Sequence, residues 1–261
     1  MTIQKIAVIG AGNMGGAIVR GILQSGWRSA AALAVSDPSE SVRATFLQLG
    51  VTALSDNVAA VRTADTVIVA VKPWLLEAVM REISPALRKE QIFISIVAGV
   101  SLQQLSEYAG IAGMPVFRVI PNTSIAVLES MTCIATKTPE RLAEVQEMFA
   151  QLGKAAVIGE EQMAAATVLG SCGTAYALRY LRAAMEGGIE MGFSAQLAKE
   201  IAAQTIRGAM RLLESGGHPE QEIDKVTTPK GITIVGLNEM ERHGFSAAVI
   251  QGLLHAFKKM S

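Results

Sequence analysis

Along the first 160 residues, short continuous apolar runs alternate with stretches in which apolar positions return every three or four residues. The runs are KIAVI (residues 5–9), ALAVSD (32–37), TVIVAV (66–71), QIFISIV (91–97), VFRVI (116–120), MTCIAT (131–136) and AAVI (155–158). Runs this short, rich in β-branched residues, predict strands buried on both faces. The stretches between them, including Ala17, Ile18, Ile22 and Leu23 and residues 39–49, 101–108 and 139–152, predict helices. A further helix is expected from about Trp74. This alternation predicts a parallel α/β sheet of Rossmann-like, doubly wound type. Beyond Glu160 strand patterns stop, and helices are expected at 161–191, at 194–214, in a shorter piece after that, and twice more beyond residue 234. The division is therefore 1–160, a dinucleotide-binding sheet domain, and 161–261, an all-α domain. The small residues Ala164, Ala165, Ala166, Gly170, Gly173 and Ala177 let helices approach closely, but each glycine costs about 1 kcal/mol of helix stability. Such a helix needs outside contacts, so a homodimer is expected.

Charge narrows the function classes. The 23 basic residues balance 23 acidic ones, which leaves no positive field for nucleic acid or an anionic membrane. The uncharged stretch 162–178 is shorter than the ~20 apolar residues of a spanning helix. The N-terminus enters a strand pattern directly, without a leader pattern, so a cytoplasmic location is expected. Cys133 and Cys172 form no CxxC pair and are expected to be buried thiols. His218, His243 and His255 are scattered and expected at solvated helix ends, so no metal site is expected.

GAGNMG, residues 10–15, follows the first strand and opens the first helix, where each glycine has a mechanism. Gly10 permits a tight turn, Gly12 lets backbone N–H groups approach a pyrophosphate, and Gly15 permits close helix–strand packing. The second strand ends at Asp37, about twenty residues beyond Gly15, where a carboxylate accepts from ribose hydroxyls and favours NADH. Ser36, Ser39 and Arg43 surround it, and the serines could donate to a 2′-phosphate, so NADPH and NADH both stay open. AVKPW (70–74), IVAG (96–99) and VIPNTS (119–124) lie at carboxyl ends of later strands, the rim that suits a nicotinamide.

These motifs, with GSCGTAY (170–176) and VTTPKGITI (226–234), resemble the pyrroline-5-carboxylate reductase family in order and spacing over essentially the whole chain. The resemblance implies reduction of L-1-pyrroline-5-carboxylate to L-proline by NADPH or NADH, in a Rossmann domain followed by a helical domain that interlocks with a partner subunit, often in larger assemblies. It places the phosphate loop on Gly10, Ala11, Gly12, Asn13 and Met14, and a ribose contact on Asn57. It places nicotinamide-side loops on Ala70, Val71, Lys72 and Pro73 and on Ile96, Val97 and Ala98, and the substrate loop on residues 228–233. The chain departs from the family pattern in Cys172, Thr174 and Ser124, and Lys230 stands where the substrate loop carries its first glycine.

TTPKGIT also has the form of a helix start by itself, with Thr228 as N-cap and Pro229 at the first helical position. Donors at such a start lack partners and favour an anion, so the Thr228 hydroxyl and the N–H groups of Gly231, Ile232 and Thr233 are expected to hold the substrate carboxylate. The Thr233 hydroxyl is expected to bond the ring nitrogen, as an orienting group or proton relay rather than a strong acid. Lys230 either extends into water or draws in an anion, since a cation in the first turn opposes the helix dipole. A cleft between the domains, completed by a second subunit, is the expected location. Rival expectations are a reductase of another cyclic imine, a β-hydroxyacid dehydrogenase, and a dinucleotide sensor without turnover. Lys199 and Lys225 lack the setting of the catalytic lysine that the dehydrogenase requires.

Overall fold

The computed structural model describes residues 3–260. In chain order the first half runs β1 (Ile6–Ile9), α1 (Asn13–Ser25), β2 (Leu33–Ser36), α2 (Glu40–Gln48), β3 (Thr52–Leu54), α3 (Asn57–Thr63), β4 (Thr66–Val69), α4 (Leu76–Ile83), β5 (Ile92–Ser95), α5 (Leu102–Ala109), β6 (Val116–Ile120), β7 (Ser130–Thr136), α6 (Leu142–Ala150) and β8 (Gly153–Val157). The helical part follows as α7 (Met163–Ala166), α8 (Gly173–Glu190), α9 (Ala195–Glu214), α10 (Pro219–Val226), α11 (Ile232–Arg242) and α12 (Phe245–Lys258).

One eight-stranded sheet has the order β3-β2-β1-β4-β5-β6-β7-β8, with the winding direction switching between β1 and β4. All seven strands expected from the apolar runs are present, and the sheet is of the expected class. Two features differ. The edge strand β3 is only three residues long and pairs with β2, and the pairing of β6 with β7 is antiparallel. The second difference follows from chain length: β6 and β7 are joined by a 3₁₀ turn, Thr123–Val127, and by Leu128 at φ 61°, which is too short for the crossover of a dozen or more residues that a parallel pair needs.

Residues of β1 alternate between two cores. Ile6 and Val8 join Ile18, Ile22, Phe46 and Phe149 on one face, while Ala7 and Ile9 join Val61, Met80, Phe93 and Leu105 on the other. The sheet is thus covered twice, as its continuously apolar strands require.

The chain divides into two compact units after Cys172, and the GSCGTAY motif straddles that division. The single helix expected at 161–191 is interrupted: a 3₁₀ turn (Glu160–Gln162) and α7 lead into a π-helical segment, Thr167–Cys172, before α8 begins. Gly170 lies in this segment, and its carbonyl accepts from Asn122 Nδ2 at 3.0 Å. The second unit, Gly173–Lys259, buries few residues within itself. Gly188 and Ala198 meet where α8 crosses α9, and a Cβ on Gly188 would stand 3.0 Å from Ala198 Cβ. Leu178, Met191, Met210, Ile232, Val235 and Ile250 are exposed. No helix among the described residues is long and apolar enough to cross a membrane.

Candidate active site

The turn from β1 into α1 fits a dinucleotide. Gly10 has φ +90°, and a Cβ there would lie 2.9 Å from the Ala70 carbonyl oxygen. At Gly15 an added Cβ would stand 2.0 Å from the Gly10 carbonyl oxygen, so helix and strand meet through the glycine. A Cβ on Gly12 would meet nothing within 4 Å, so its missing side chain leaves space open on the solvent side. Gly12 also forms the N-cap of α1 without a side-chain cap, leaving first-turn N–H groups free for an anion. Gly12 and Asn13 are exposed, Met14 is half-buried and Ala11 is buried.

Asp37 braces this loop. Its Oδ2 accepts from the Ala11 N–H at 2.9 Å and its Oδ1 from the Ser39 N–H at 2.9 Å, while each oxygen keeps a further lone pair. Ser39 is the N-cap of α2, its hydroxyl accepting from the Val42 N–H and bonded to Ser41 Oγ. Arg43 Nη1 donates to the carbonyls of Asp37 and Pro38. The expectation that the Ser36 hydroxyl donates to a 2′-phosphate is corrected: Ser36 is 1% exposed and its Oγ is buried without a partner, because it ends a strand covered on both faces. Ser36 supports the loop through its carbonyl, which accepts from the Gly10 N–H at 2.8 Å.

Across the switch point, Ala70 and Val71 pack against Gly10, and Lys72 caps a 3₁₀ turn that holds Pro73 and Trp74, all three of them exposed. Val97 is buried, Ile96 half-buried and Ala98 exposed. Asn57 opens α3 and donates from Nδ2 to Glu82 Oε2 at 2.8 Å. Asn122, placed by sequence only within the 119–124 rim loop, is 6% exposed: its N–H donates to Ser130 Oγ, its Oδ1 accepts from the Ser124 N–H, and its Nδ2 donates to the Gly170 carbonyl. Its signal was the PNTS loop, whose turn-forming asparagine has both a donor and an acceptor to place.

The helix start expected at Thr228 is corrected by three residues. Residues 228–231 form a turn closed by the Gly231 N–H donating to the Thr228 carbonyl at 2.9 Å, and α11 begins at Ile232 with Gly231 as N-cap. Pro229 occupies the second turn position, where its fixed φ serves as well as at a helix start. Lys230 takes the third at φ +60°, a left-handed position that favours glycine. The Gly231 N–H is therefore committed to the turn. A side chain at Gly231 would lie 2.5 Å from Thr228 Oγ1. The N–H groups of Ile232 and Thr233 open an α11 with no side-chain cap; Ile232 is exposed and Thr233 half-buried. Lys230 is exposed.

Among the described residues no group of His, Cys, Asp and Glu could hold a metal ion. Cys133 is buried, and burial pushes its thiol pKa up, whereas Cys172 is half-buried rather than buried as expected. His218 caps α10, and His243 and His255 lie in last turns or caps of α11 and α12.

Comparisons with known proteins cover both halves. Residues 160–261 match the family described as pyrroline-5-carboxylate reductase dimerisation, and residues 5–99 match NADP oxidoreductase coenzyme F420-dependent. Pyrroline-5-carboxylate reductase 2 of Dictyostelium discoideum is 37% identical over 99% of this chain and 92% of its own length. The pyrroline-5-carboxylate reductase of Escherichia coli K12 is 34% identical over 98% of this chain and 97% of its own. The crystal structure of Plasmodium falciparum pyrroline carboxylate reductase with NADP bound aligns with a TM-score of 0.89 and 28% identity, covering 98% of this chain and 96% of that one.

Proposed function

The chain belongs to the pyrroline-5-carboxylate reductase family, and we propose that it reduces L-1-pyrroline-5-carboxylate to L-proline with NADPH or NADH, in the cytoplasm. Likeness along nearly the whole chain, cofactor half and helical half together, carries this reading. The open space over Gly12 and the uncapped start of α1 suit the coenzyme pyrophosphate, held by residues 10–14. Asp37 and Asn57 serve the adenosine ribose, and residues 70–73 and 96–98 line the nicotinamide side. When bound, NAD(P)H supplies a hydride.

The turn at 228–231 presents the Thr228 hydroxyl and the N–H groups of Ile232 and Thr233 to the substrate carboxylate. Gly231 contributes by allowing the turn to close. The Thr233 hydroxyl orients the ring nitrogen, whose protonation makes the imine carbon electrophilic. One hydride to carbon and one proton to nitrogen then complete the amine. A threonine hydroxyl does not titrate near neutrality, so positioning supplies most of the protein's contribution.

A homodimer is the working unit, supported by the match over 160–261 and by the exposed apolar residues of α8, α9, α11 and α12. A larger assembly of dimers would build on it. Initial rates with pyrroline-5-carboxylate and with a six-membered cyclic imine acid test the substrate. We expect the five-membered ring to have the higher kcat/KM with either coenzyme; preference for the larger ring would move the chain to another imine.

A further inference from the structure

We infer that Glu160 is a positioning residue for the loop at 96–98, acting through the N-terminus of α5. The inference rests on the reading of that loop as the nicotinamide side of the coenzyme site.

The chain leaves β5 at Ser95 and enters α5 at Leu102. Its near end is fixed by the Ile96 N–H donating to the Val69 carbonyl at 3.0 Å and the Val97 N–H donating to Ser95 Oγ at 3.2 Å. The tip, Ala98 and Gly99, is exposed, and Gly99 turns at φ +80°. The far end is held from 58 residues away, where Glu160 Oε1 accepts from the Leu102 N–H at 2.5 Å. The capping box of Ser101 and Gln104 satisfies its own donors and the Leu102 side chain is buried in the core, so the Glu160 bond adds to that packing the partner of the Leu102 N–H.

Glu160 is itself placed by Arg118. Arg118 stands opposite Ser95 in the β5–β6 register, its side chain only 11% exposed, with Nη1 3.7 Å from Glu160 Oε1. Burial pushes the Arg118 pKa down and Glu160 pulls it back up. Its Nε is buried without a partner, so Glu160 is the counter-charge of a poorly solvated guanidinium. One carboxylate oxygen therefore neutralises β6 and closes the loop that begins at β5.

Removing this tether leaves the far end of the loop held by the packing of Leu102 alone, with its N–H unpaired. The loss falls on coenzyme binding before and during reaction alike, and so on Kd and KM more than on kcat. Removing Glu160 alone would strand a buried charge, whereas replacing both partners by apolar chains of similar length avoids that penalty. For the double variant Arg118→Met/Glu160→Met we expect the NADPH Kd, read by nicotinamide fluorescence, to rise about tenfold, with kcat at saturation within about threefold of wild type and Tm nearly unchanged. Glu160→Gln keeps an acceptor for Leu102 but removes the counter-charge of Arg118, so it should lower Tm while the folded variant binds NADPH within about threefold of wild type. Should the double variant unfold during the assay, its NADPH Kd is read at a lower temperature where circular dichroism shows it folded, and the same weakening is expected. A folded double variant that binds NADPH as tightly as wild type, or one that loses kcat with KM unchanged, overturns the positioning role. A wild-type chain that binds NADPH but turns over no imine would leave the tether intact and remove the reaction; one that binds no NADPH would overturn both.

Discussion

Lys230 holds a backbone conformation that costs an L-residue roughly 1 to 2 kcal/mol, in a turn whose third position suits glycine. Glycine would relieve that strain while giving back about 0.5 to 1 kcal/mol in unfolded-chain entropy. Lys230→Gly should therefore raise Tm slightly, by up to about 1 kcal/mol of stability, measured by thermal unfolding. Thr233 follows two positions after the N-cap, where its side chain is half-buried at the uncapped start of α11. Thr233→Ala should lower kcat/KM about 10- to 100-fold, less than loss of a strong general acid costs; steady-state kinetics at fixed coenzyme check this, and an unchanged value removes Thr233 from the chemistry.

The glycines of the first turn make separable predictions at the scale of elements. Gly15→Ala forces a Cβ into the Gly10 carbonyl, so it should destabilise the sheet domain by about 1 to 3 kcal/mol and weaken coenzyme binding with it. Gly12→Ala meets no protein atom within 4 Å, so it should keep Tm while raising the NADPH KM about tenfold, because the new methyl occupies space a phosphate needs. Paired Tm and KM measurements distinguish the two; equal losses of Tm would contradict the difference. The seven strands were legible because each is a short, mostly apolar run, although β6 carries Arg118 and β8 Lys154. Thr52–Leu54 was not, having only three residues, one of them exposed. The start of α11 was misplaced because proline fits the second position of a turn as well as the first of a helix, and nothing local announces a lysine at positive φ. The tether from Glu160 to Leu102 was invisible because it joins residues 58 apart.

For the whole molecule, the helical unit leaves large apolar side chains exposed, and Tyr176, Tyr180, Phe245 and Val249 line a groove between α8 and α12. Surface of this kind is rarely left to water in a folded protein. Sedimentation should give at least twice the 27.5 kDa chain mass, and Ile250→Asp should shift the population toward monomer and lower Tm. The charge balance suited a small-molecule enzyme from the outset, but only the ordered motifs across both halves separated an imine reductase from other dinucleotide-binding chains. The most direct test of that reaction is isotopic. With NADPH or NADH deuterated at the transferred C4 position and L-1-pyrroline-5-carboxylate as acceptor, each proline formed should carry one deuterium at C5, beside the ring nitrogen. Coenzyme oxidation without labelled proline, or no oxidation dependent on pyrroline-5-carboxylate, would contradict it.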